Sequence, residues 1–450
     1  MNKRTLAAMA VLGLSSAFAG ETYYTVKAND ANTRNALFTD YTYWAKADGT
    51  VATAAPVKGD TVVFTNDTAL TLSANANLPS YCWRFEGPGD VLGPGQTEGS
   101  KKPYSMSSGA SAVANGGGTY KLDYSVSLGK DMGDFIVDVS EGSTMGLSTY
   151  GTTTMSSGSR LVKRGPGTER HDRLFPNDGS VIRLEEGYLS LNRGGNTNNT
   201  GATVVFEIAG PAAKKLGCDE GTLVIPHYVE TEDALGTLSF VISNGNHRSI
   251  LMKGTATVTR CSADIYNERE GLTHQLVWNP DGATTLDLVG RIHDQASGKL
   301  YAKSGKMRFA EDAGIRRLNE LRVGAGAEVE IARSANDTFR EMTLAVEEGG
   351  VLRIDGVSEV ATYNQNAVAS DFYPTNSIVW DGLIDLCGKR RLYLNRSWNA
   401  TGSFSCGAAA GLRLSGTDVH RILTYSVGDI TLSNYVETAE AEMTGDFACY

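Results

Sequence analysis

Residues 282–354 read GATTLDLVGRIHDQASGKLYAKSGKMRFAEDAGIRRLNELRVGAGAEVEIARSANDTFREMTLAVEEGGVLRI. In this stretch two apolar residues separated by one position recur at a nearly constant step of about 22 residues. Side chains two positions apart lie on one face of a strand, so each pair predicts a β-strand. A lone strand cannot bury its apolar face, and the near-constant step therefore predicts stacked coils around a continuous core. The four pairs are Leu286/Leu288, Met307/Phe309, Val329/Ile331 and Leu352/Ile354.

The same alternation extends, with looser spacing, over residues 59–434. Segments such as TVVFEIAG and GTLSFVISN alternate apolar and polar residues, as half-buried strands do. Almost no segment has the apolar period of an amphipathic helix. The chain contains 51 glycines but only 11 prolines, which indicates many tight turns without proline-rich linkers. The sequence therefore predicts an all-β parallel β-helix, or β-solenoid, that runs as one body.

The N-terminal residues 1–19 have the three parts of a secretory signal peptide. Lys3 and Arg4 precede an apolar run, and the last three residues, AFA, form a small-x-small cleavage site. No later stretch approaches the ~20 apolar residues that a membrane-spanning helix needs. We therefore expect an exported protein, extracellular, at the cell surface or in the periplasm, with no membrane span in its mature chain.

Two segments depart from the regular alternation. Residues 20–58 are aromatic and turn-rich, and we predict that they form a short N-terminal cap, because a solenoid otherwise exposes its apolar end. Within this segment Tyr41, Tyr43 and Trp44 either pack in the cap or form a sugar-stacking platform, and the frequent burial of aromatic side chains favours packing. Residues 88–118 are rich in Gly, Pro and Ser and predict an irregular loop, with a domain boundary as the alternative.

The charge balance bears on the partners of the chain. Without the signal peptide the chain has 39 basic and 51 acidic residues, a net charge of −12. Nucleic-acid binding depends on clustered Lys and Arg, so nucleic acid is disfavoured as a partner. The short basic runs at residues 101–102 and 389–391 are interpreted as solvated turns.

Strings such as GDTVVFTN, LRVGAGAEVEI and LAVEEGGVLRI resemble the coils of bacterial autotransporter passengers and related secreted, pectin-lyase-like right-handed parallel β-helix proteins. The resemblance covers residues 59–434 and implies a three-sided, right-handed β-helix in a surface or extracellular setting. It implies no activity. Autotransporters also carry a C-terminal membrane barrel built from many strands of ~10 residues. Residues 435–450, YVETAEAEMTGDFACY, are too short for a barrel and are predicted to be a tail, so either the protein is released by another route or the gene product is incomplete.

Two motifs resemble parts of pectate lyases. DGLIDL at residues 381–386 is similar to a string found in that family, and RGPGTER at residues 164–170 is close to the RxPxxR segment that carries its catalytic arginine. The second motif has one residue too many and precedes DGLIDL, where the family has it afterwards. No set of carboxylates suited to the Ca²⁺ of a lyase accompanies either motif. We therefore interpret Asp381 as a coil-turn residue and Asp385 as an outward strand residue.

Other catalytic and metal-binding patterns are also missing from the sequence. Glu328 and Glu330 could supply the paired carboxylates of an inverting hydrolase, but alternating acids are ordinary on a solvated strand face. The sequence has no GxSxG elbow, P-loop or dinucleotide fingerprint. We predict no catalytic, cofactor-binding or metal-binding residue and no cofactor. The six histidines, at positions 171, 227, 247, 274, 293 and 420, form neither HxH nor HExxH.

Six cysteines in an exported chain permit disulfides, and their pairing cannot be chosen from the sequence. The separation of Cys387 and Cys406 in sequence is close to the repeat length, so they could lie one above the other on adjacent coils. We predict a possible disulfide between them, with two buried free thiols as the alternative. No CxxC pair is present, which argues against a zinc ribbon or a thioredoxin-type site.

These observations favour a non-enzymatic exported β-solenoid that acts as a scaffold or adhesin. Such a protein would bind a glycan or a surface protein through rows of outward side chains along its stack. The alternative is a carbohydrate-active β-helix enzyme, either a polysaccharide lyase or a glycoside hydrolase. A groove with convergent acids and a Lys or Arg would favour that alternative.

Overall fold

The computed structural model of the chain consists almost entirely of strands, and one short 3₁₀ helix, Tyr41–Tyr43, is present among the described residues. The predicted signal peptide lies outside those residues. The structure describes residues 20–26, 40–57, 60–65, 82–86, 91–92, 104–106, 111–114, 119–122, 126–129, 133–147, 152–191, 203–218, 222–234, 238–242, 249–254, 256–267, 274–292, 298–309, 314–315, 320–331, 339–340, 343–354, 371–373, 377–386, 391–392, 404–414, 420–421, 425–427, 430–432, 437–438 and 441–444.

The strands are short, mostly two to five residues, as the short apolar pairs of the sequence predict. In chain order, β1 to β12 are Thr22–Thr25, Trp44–Lys46, Thr61–Thr65, Cys82–Glu86, Val91–Leu92, Tyr104–Met106, Ser111–Ala114, Thr119–Leu122, Val126–Leu128, Asp134–Val139, Thr144–Leu147 and Thr153–Met155. Strands β13 to β24 are Arg160–Arg164, Thr168–His171, Leu174–Pro176, Val181–Leu184, Gly187–Leu191, Val205–Ile208, Lys214–Cys218, Thr222–Ile225, His227–Glu230, Leu238–Ile242, Ser249–Met252 and Val258–Cys261. Strands β25 to β36 are Asp264–Asn267, His274–Trp278, Thr285–Leu288, Arg291–Ile292, Gly298–Ala302, Gly305–Phe309, Gly314–Ile315, Glu320–Val323, Ala327–Ile331, Phe339–Arg340, Thr343–Val346 and Val351–Ile354. Strands β37 to β47 are Asp371–Tyr373, Ile378–Trp380, Leu383–Leu386, Arg391–Leu392, Phe404–Cys406, Gly411–Leu414, His420–Arg421, Tyr425–Val427, Ile430–Leu432, Glu437–Thr438 and Ala441–Thr444.

Five sheets form the body of the molecule, and nearly all of their strands are parallel. Sheet A has the order β2-β1-β3-β4-β7-β10-β13-β16-β18-β21, and sheet B has the order β31-β28-β25-β22-β19-β17-β14-β11-β8-β5. Sheet C is β15-β12-β9-β6, sheet D is β20-β23-β26-β29-β32-β35-β38-β41, and sheet E is β24-β27-β30-β33-β36-β39-β42-β47. Because strands close in sequence lie in different sheets, each sheet is built from successive coils.

The chain visits three sheets in turn. Strand β13 lies in sheet A, β14 in sheet B and β15 in sheet C, before β16 returns to sheet A. Further along, β29 lies in sheet D, β30 in sheet E and β31 in sheet B. This order of parallel strands confirms the prediction of an all-β parallel β-helix.

The four apolar pairs that decided the fold stack directly on one another in sheet E. The register aligns Leu286, Met307, Val329 and Leu352 in one column, and a second column holds the other member of each pair. All eight side chains are buried, none more than 4% exposed. The predicted ladder is therefore the inner face of a single sheet. The first column continues through Ile384 and Leu412, although the coils there are longer than those of the regular stretch.

Strands of the stack lie within the stretch at residues 88–118, which the sequence predicted to be an irregular loop. Three of its segments are strands of the stack: β5 pairs with β8, β6 pairs with β9, and β7 lies between β4 and β10. All of these pairings are parallel. Neighbouring coils supply the ladder partners of these strands, so a stretch without its own apolar period still follows the register of the sheet.

Antiparallel strands lie at both ends of the stack. At the start, β2 pairs antiparallel with β1, and Tyr43 and Trp44 are buried there while Tyr41 is 47% exposed. At the other end, β47 pairs antiparallel with β42, and two more antiparallel pairs, β43/β46 and β44/β45, lie between them in sequence. Ile430–Leu432 is thus the arm of a hairpin and not a coil of the stack. A reversed terminal strand occupies the edge that another parallel strand would extend. The limits predicted for the cap segment at residues 20–58 stay a prediction.

A buried carboxylate joins sheets A and E. Glu230 on β21 occupies an inward register position above Ile208, and its side chain is 4% exposed. One of its oxygens accepts hydrogen bonds from the backbone N–H of Ser262 at 2.5 Å and from the hydroxyl of Tyr228 at 2.8 Å, and the other binds Arg260 at 2.6 Å. The carboxylate therefore accepts a backbone hydrogen bond at the point where the strand ladder changes from sheet A to sheet E.

Candidate functional site

The outward face of sheet E carries one column of alternating charges, which we name the charge ladder. Asp287, Arg308, Glu330 and Arg353 each lie between the two inward apolar residues of their strand, and the register places consecutive members of the column side by side. Adjacent strands are ~4.8 Å apart, so opposite charges face each other at every step. In order, the charge ladder is Arg260, Asp287, Arg308, Glu330, Arg353, Asp385 and Arg413.

The acids of the charge ladder are recessed and its arginines project. The side chains of Asp287, Glu330 and Asp385 are 6–20% exposed, whereas those of Arg308 and Arg413 are 38–41% exposed. The difference follows from side-chain length, because each short acid lies between two long arginines. The surface of this face therefore presents guanidinium groups on every second coil, with carboxylates between them at a lower level.

Ion pairs between coils hold the charge ladder together. Arg308 donates from Nε to Oδ1 of Asp287 at 2.7 Å and from Nη2 to Oδ2 at 2.8 Å, a bidentate pair. Beside the ladder, Lys306 binds Glu328 at 3.0 Å and also Glu330. Burial lowers the pKa of Lys306, but hydrogen bonds to Glu330 and Glu328 outweigh it and raise that pKa overall. The two acids that matched a hydrolase pattern are thus engaged with one lysine on the neighbouring strand.

Sheet D has an outward face of a different kind. Val224, Leu251, Val277 and Tyr301 form a continuous half-buried apolar row, with their register fixed by parallel pairing. Arg322 on the next strand lies over the Tyr301 ring, 4.9 Å from its centroid. A neighbouring column is polar: the hydroxyls of Thr222 and Ser249 are 2.8 Å apart, and Lys299 binds Glu320 at 2.6 Å. We name the four apolar residues the apolar row.

The DGLIDL motif belongs to the sheet E stack. Asp385 lies between Arg353 and Arg413 in the register, with Oδ2 4.0 Å from Nη1 of Arg413. Its side chain is on the outward side of β39, because the adjacent Ile384 is buried in the core. Asp381 is half-buried in the turn that precedes β39. Both positions agree with the interpretation of these acids as turn and strand residues.

The RGPGTER motif forms the corner between β13 and β14. Gly165 has a φ of 71°, and a Cβ there or at Gly167 would overlap backbone carbonyls of the previous coil, which explains both glycines. Arg164 donates to Glu185 of the next coil at 2.5 Å. The segment that resembles a lyase arginine motif is therefore a coil corner whose first arginine is held in a salt bridge between coils.

A polar layer lies inside this coil and the one before it. Glu169 and His171 are fully buried; Nε2 of His171 is 2.7 Å from Oε1 of Glu169, and Nδ1 is 3.1 Å from the Thr153 hydroxyl. The second Glu169 oxygen has no hydrogen-bond partner. Lys163, also buried, donates to the carbonyl oxygens of Arg164, Gly165 and Glu186 at 2.5–3.1 Å. Burial lowers the pKa of Lys163 to about 8. We name Thr153, Lys163, Glu169 and His171 the polar layer.

The polar layer has the residue types of a hydroxyl–imidazole–carboxylate relay, but a relay must reach a substrate. Thr153, Glu169 and His171 are completely enclosed by the coils above and below. The layer therefore serves packing in this arrangement. Of the other histidines, His227 is half-buried on β21, and the backbones of His274 and His420 lie on β26 and β43, whereas His247 and His293 lie outside the described residues.

Of the two cysteines predicted to form a disulfide, only Cys406 lies among the described residues. Cys406 pairs with Trp380 of the previous coil. One coil therefore contains more residues here than separate Cys387 from Cys406 in the sequence. Cys387 lies outside the described residues, and its disulfide with Cys406 stays a prediction. Cys261 is a buried free thiol, and burial raises its pKa to about 12, which makes it unreactive.

Within the part of the chain that is described, no cluster of three or more His, Cys, Asp or Glu side chains could hold a metal ion. No helix among those residues is long and apolar enough to cross a membrane. We found no match to this chain among protein-family models, curated proteins or solved structures. The likeness to autotransporter passengers and pectin lyases therefore remains a resemblance of sequence pattern, and the fold stands on the strand register alone.

Sequence reasoning missed the charge ladder and the polar layer. The signal for the ladder was present, since the residue between the two members of each apolar pair is always charged and its sign alternates from pair to pair. Only the register shows that these residues are neighbours. The polar layer gave no comparable signal, because Lys163, Glu169 and His171 occupy strand positions that an alternating pattern assigns to apolar residues.

Proposed function

We propose that the protein is an exported, non-enzymatic β-solenoid that acts as a surface scaffold or adhesin, and that it binds a glycan or protein along the apolar row of sheet D. The observation that carries the proposal is the outward position of this row. Val224, Leu251, Val277 and Tyr301 present half-buried apolar side chains over four consecutive strands beside a polar column.

Two physical features support contact at this surface. Apolar side chains at the centre of a surface supply most of the free energy of association, and flanking hydroxyl and charged groups supply hydrogen bonds and specificity. The hydroxyls of Thr222 and Ser249 and the ammonium of Lys299 are the flanking groups here. A row that repeats at every strand also suits an extended ligand, because each coil adds one more equivalent contact.

The carbohydrate-active alternative has less support. Three of its candidate residues, Glu328, Glu330 and Asp385, face basic side chains on neighbouring strands. The resulting ion pairs connect successive coils of the stack. Arg164 is paired with Glu185. None of these ion pairs leaves an acid and a base converging on a common groove, which both lyase and hydrolase chemistry need.

The test is a binding assay on the mature protein with immobilised cellulose, chitin, xylan and collagen. We expect saturable binding to at least one of these, reduced about tenfold or more by Val277→Asp or Tyr301→Ala, because both changes remove contact from the centre of the surface. Thr285→Asp, at an outward position on sheet E, is the matched control and should bind as the wild type does. Unfolding curves of all three variants establish that the fold is intact.

Two results would contradict the proposal. Binding that is equally strong in Val277→Asp and the wild type would show that the apolar row is not the contact surface. Release of unsaturated or reducing sugars from polygalacturonate or xylan by the purified protein would show that it is an enzyme.

A further inference from the structure

We propose that a second copy of this chain docks on the charge ladder of sheet E, giving a two-fold symmetric dimer. The inference is separate from the glycan or protein contact proposed for sheet D. It stands on two observations of the outward face of sheet E: the strict alternation of charge, and the difference in height between arginines and acids.

The order of charges makes the column complementary to itself. Consider a two-fold axis that lies in the plane of contact, perpendicular to the column, and passes between Glu330 and Arg353. This operation brings Glu330 of one copy opposite Arg353 of the other, and Arg308 opposite Asp385. Six of the seven ladder residues then meet an opposite charge, as a self-complementary interface requires. The third pair is Asp287 with Arg413, and Arg260 at the end of the ladder keeps its ion pair with Glu230 of its own chain.

The difference in height between the arginines and the acids fits the same arrangement. Arginines project on every second coil, and the acids between them are recessed. In the dimer each projecting guanidinium lies over a recessed carboxylate of the other copy. A guanidinium has five N–H donors, so Arg308 can keep its bidentate bond to Asp287 and still donate across the interface. The dimer therefore adds contacts without breaking the ion pairs within one chain.

The outward column beside the ladder is mixed and would also be covered by the second copy. Val258 is 52% exposed, Val351 and Leu383 are half-buried, and Thr285, Lys306 and Glu328 lie between Val258 and Val351. A charged strip with a mixed margin resembles a weak, salt-sensitive interface rather than an obligate one. We therefore expect a dimer in equilibrium with the monomer.

The first test is sedimentation equilibrium of the wild-type mature chain at ~10 mM and ~1 M ionic strength, two conditions that differ strongly in screening. Salt screens exposed ion pairs, so we expect the dissociation constant to rise at least about tenfold between the two conditions. The double variant Arg308→Gln/Arg353→Gln should weaken the dimer at low salt. Arg322→Gln, a similarly paired arginine on sheet D, is the matched control and should leave the dissociation constant unchanged.

The second test fixes the geometry by cross-linking. Equal amounts of the Glu330→Cys and Arg353→Cys variants are mixed and oxidised, and the disulfide-linked peptides are identified by mass spectrometry. The proposed axis places these two positions opposite each other, so a mixed 330–353 disulfide is expected. A mixture of Glu330→Cys with Asp287→Cys should give no such bond, since position 287 faces position 413.

Either test can overturn the proposal. A chain that stays monomeric at low ionic strength up to ~1 mM has no such interface, and this outcome includes the case in which an acidic polysaccharide is the true occupant of the face. A dimer that is insensitive to salt, or one that yields no mixed 330–353 disulfide, associates through another surface.

Discussion

The interior of the solenoid is built in two ways. In the stretch of residues 282–354 the two inward columns formed by the apolar pairs contain no polar residue, and Val329 and Leu352 have no exposed surface. In the coil formed by Arg160–Arg164, Thr168–His171 and Leu174–Pro176, equivalent inward positions hold ionisable side chains. Lys163 lies between Val137 and Leu184, Glu169 between Met145 and Leu189, and His171 between Leu147 and Leu191.

The contrast shows what a buried position of a β-helix requires. It does not require an apolar residue, but it requires that polar atoms find partners in the same coil or in an adjacent one. Lys163 meets that condition through three carbonyls at a corner, and His171 meets it through both ring nitrogens. Within the polar layer, one oxygen of Glu169 is left without a hydrogen bond. Introducing a polar group where no partner exists should therefore destabilise the fold more than removing one from the polar layer.

The largest effect is expected from Val329→Asp. The side chain lies between Met307 and Leu352 in a fully apolar column, so a new carboxylate would be buried without a partner. We expect a loss of about 4 kcal/mol or more in the free energy of unfolding, measured by urea denaturation. Glu328→Asp, the matched change at the adjacent outward position, should cost less than about 1 kcal/mol. Similar unfolding midpoints for Val329→Asp and the wild type would contradict the inward assignment of this column.

The fold could be predicted from the sequence because residues 282–354 are periodic. A pair of apolar residues on one strand indicates which face of the strand is buried, and the nearly constant number of residues between pairs indicates that the strands stack. The strands within residues 88–118 could not be predicted in the same way, since their pairing is decided by the neighbouring coils. Lys163 was missed for a related reason: its burial depends on three carbonyls that come together only when the corner forms.

A smaller effect is expected when one member of the polar layer is removed. Glu169→Leu leaves His171 and Lys163 buried without the carboxylate, and we expect a cost of about 3 kcal/mol in unfolding free energy. The double variant Glu169→Leu/His171→Leu fills both positions with the residue type of the adjacent coils and should recover most of that loss. A double-mutant cycle in urea measures the coupling. Additive costs would show that the two side chains do not act as a pair.

The pH dependence of stability should report on Lys163. Its pKa is about 8 in the folded chain against 10.5 for an ordinary lysine, so the folded state binds fewer protons than the unfolded state between these values. The free energy of unfolding should therefore rise by up to about 3 kcal/mol as pH increases from 8 to 10.5. Below pH 8 Lys163 is charged in the folded chain, and the full cost of burying that charge is present.

The measurement compares urea denaturation of the wild type and Lys163→Met across that range. The difference between the two proteins isolates the titration of Lys163, and the variant should lack the rise. Lys303→Met, an exposed lysine on the turn after β29, is the control and should follow the wild type. A rise of equal size in Lys163→Met would assign the pH dependence to other groups.

The charge ladder could be found only after the strands were in register, and its members should contribute least to stability. Asp287→Asn removes the bidentate partner of Arg308, whose side chain is 41% exposed, so solvent screens most of the interaction. We expect a cost of about 0.5–1 kcal/mol at low salt and a smaller one at ~1 M salt. The cycle with Arg308→Gln should give a coupling energy of the same size, measured at a dilution at which the chain is monomeric. A cost well above that range, unchanged by salt, would show that this ion pair behaves like the buried hydrogen bonds of the polar layer. The outward charges would then contribute to stability as the interior does.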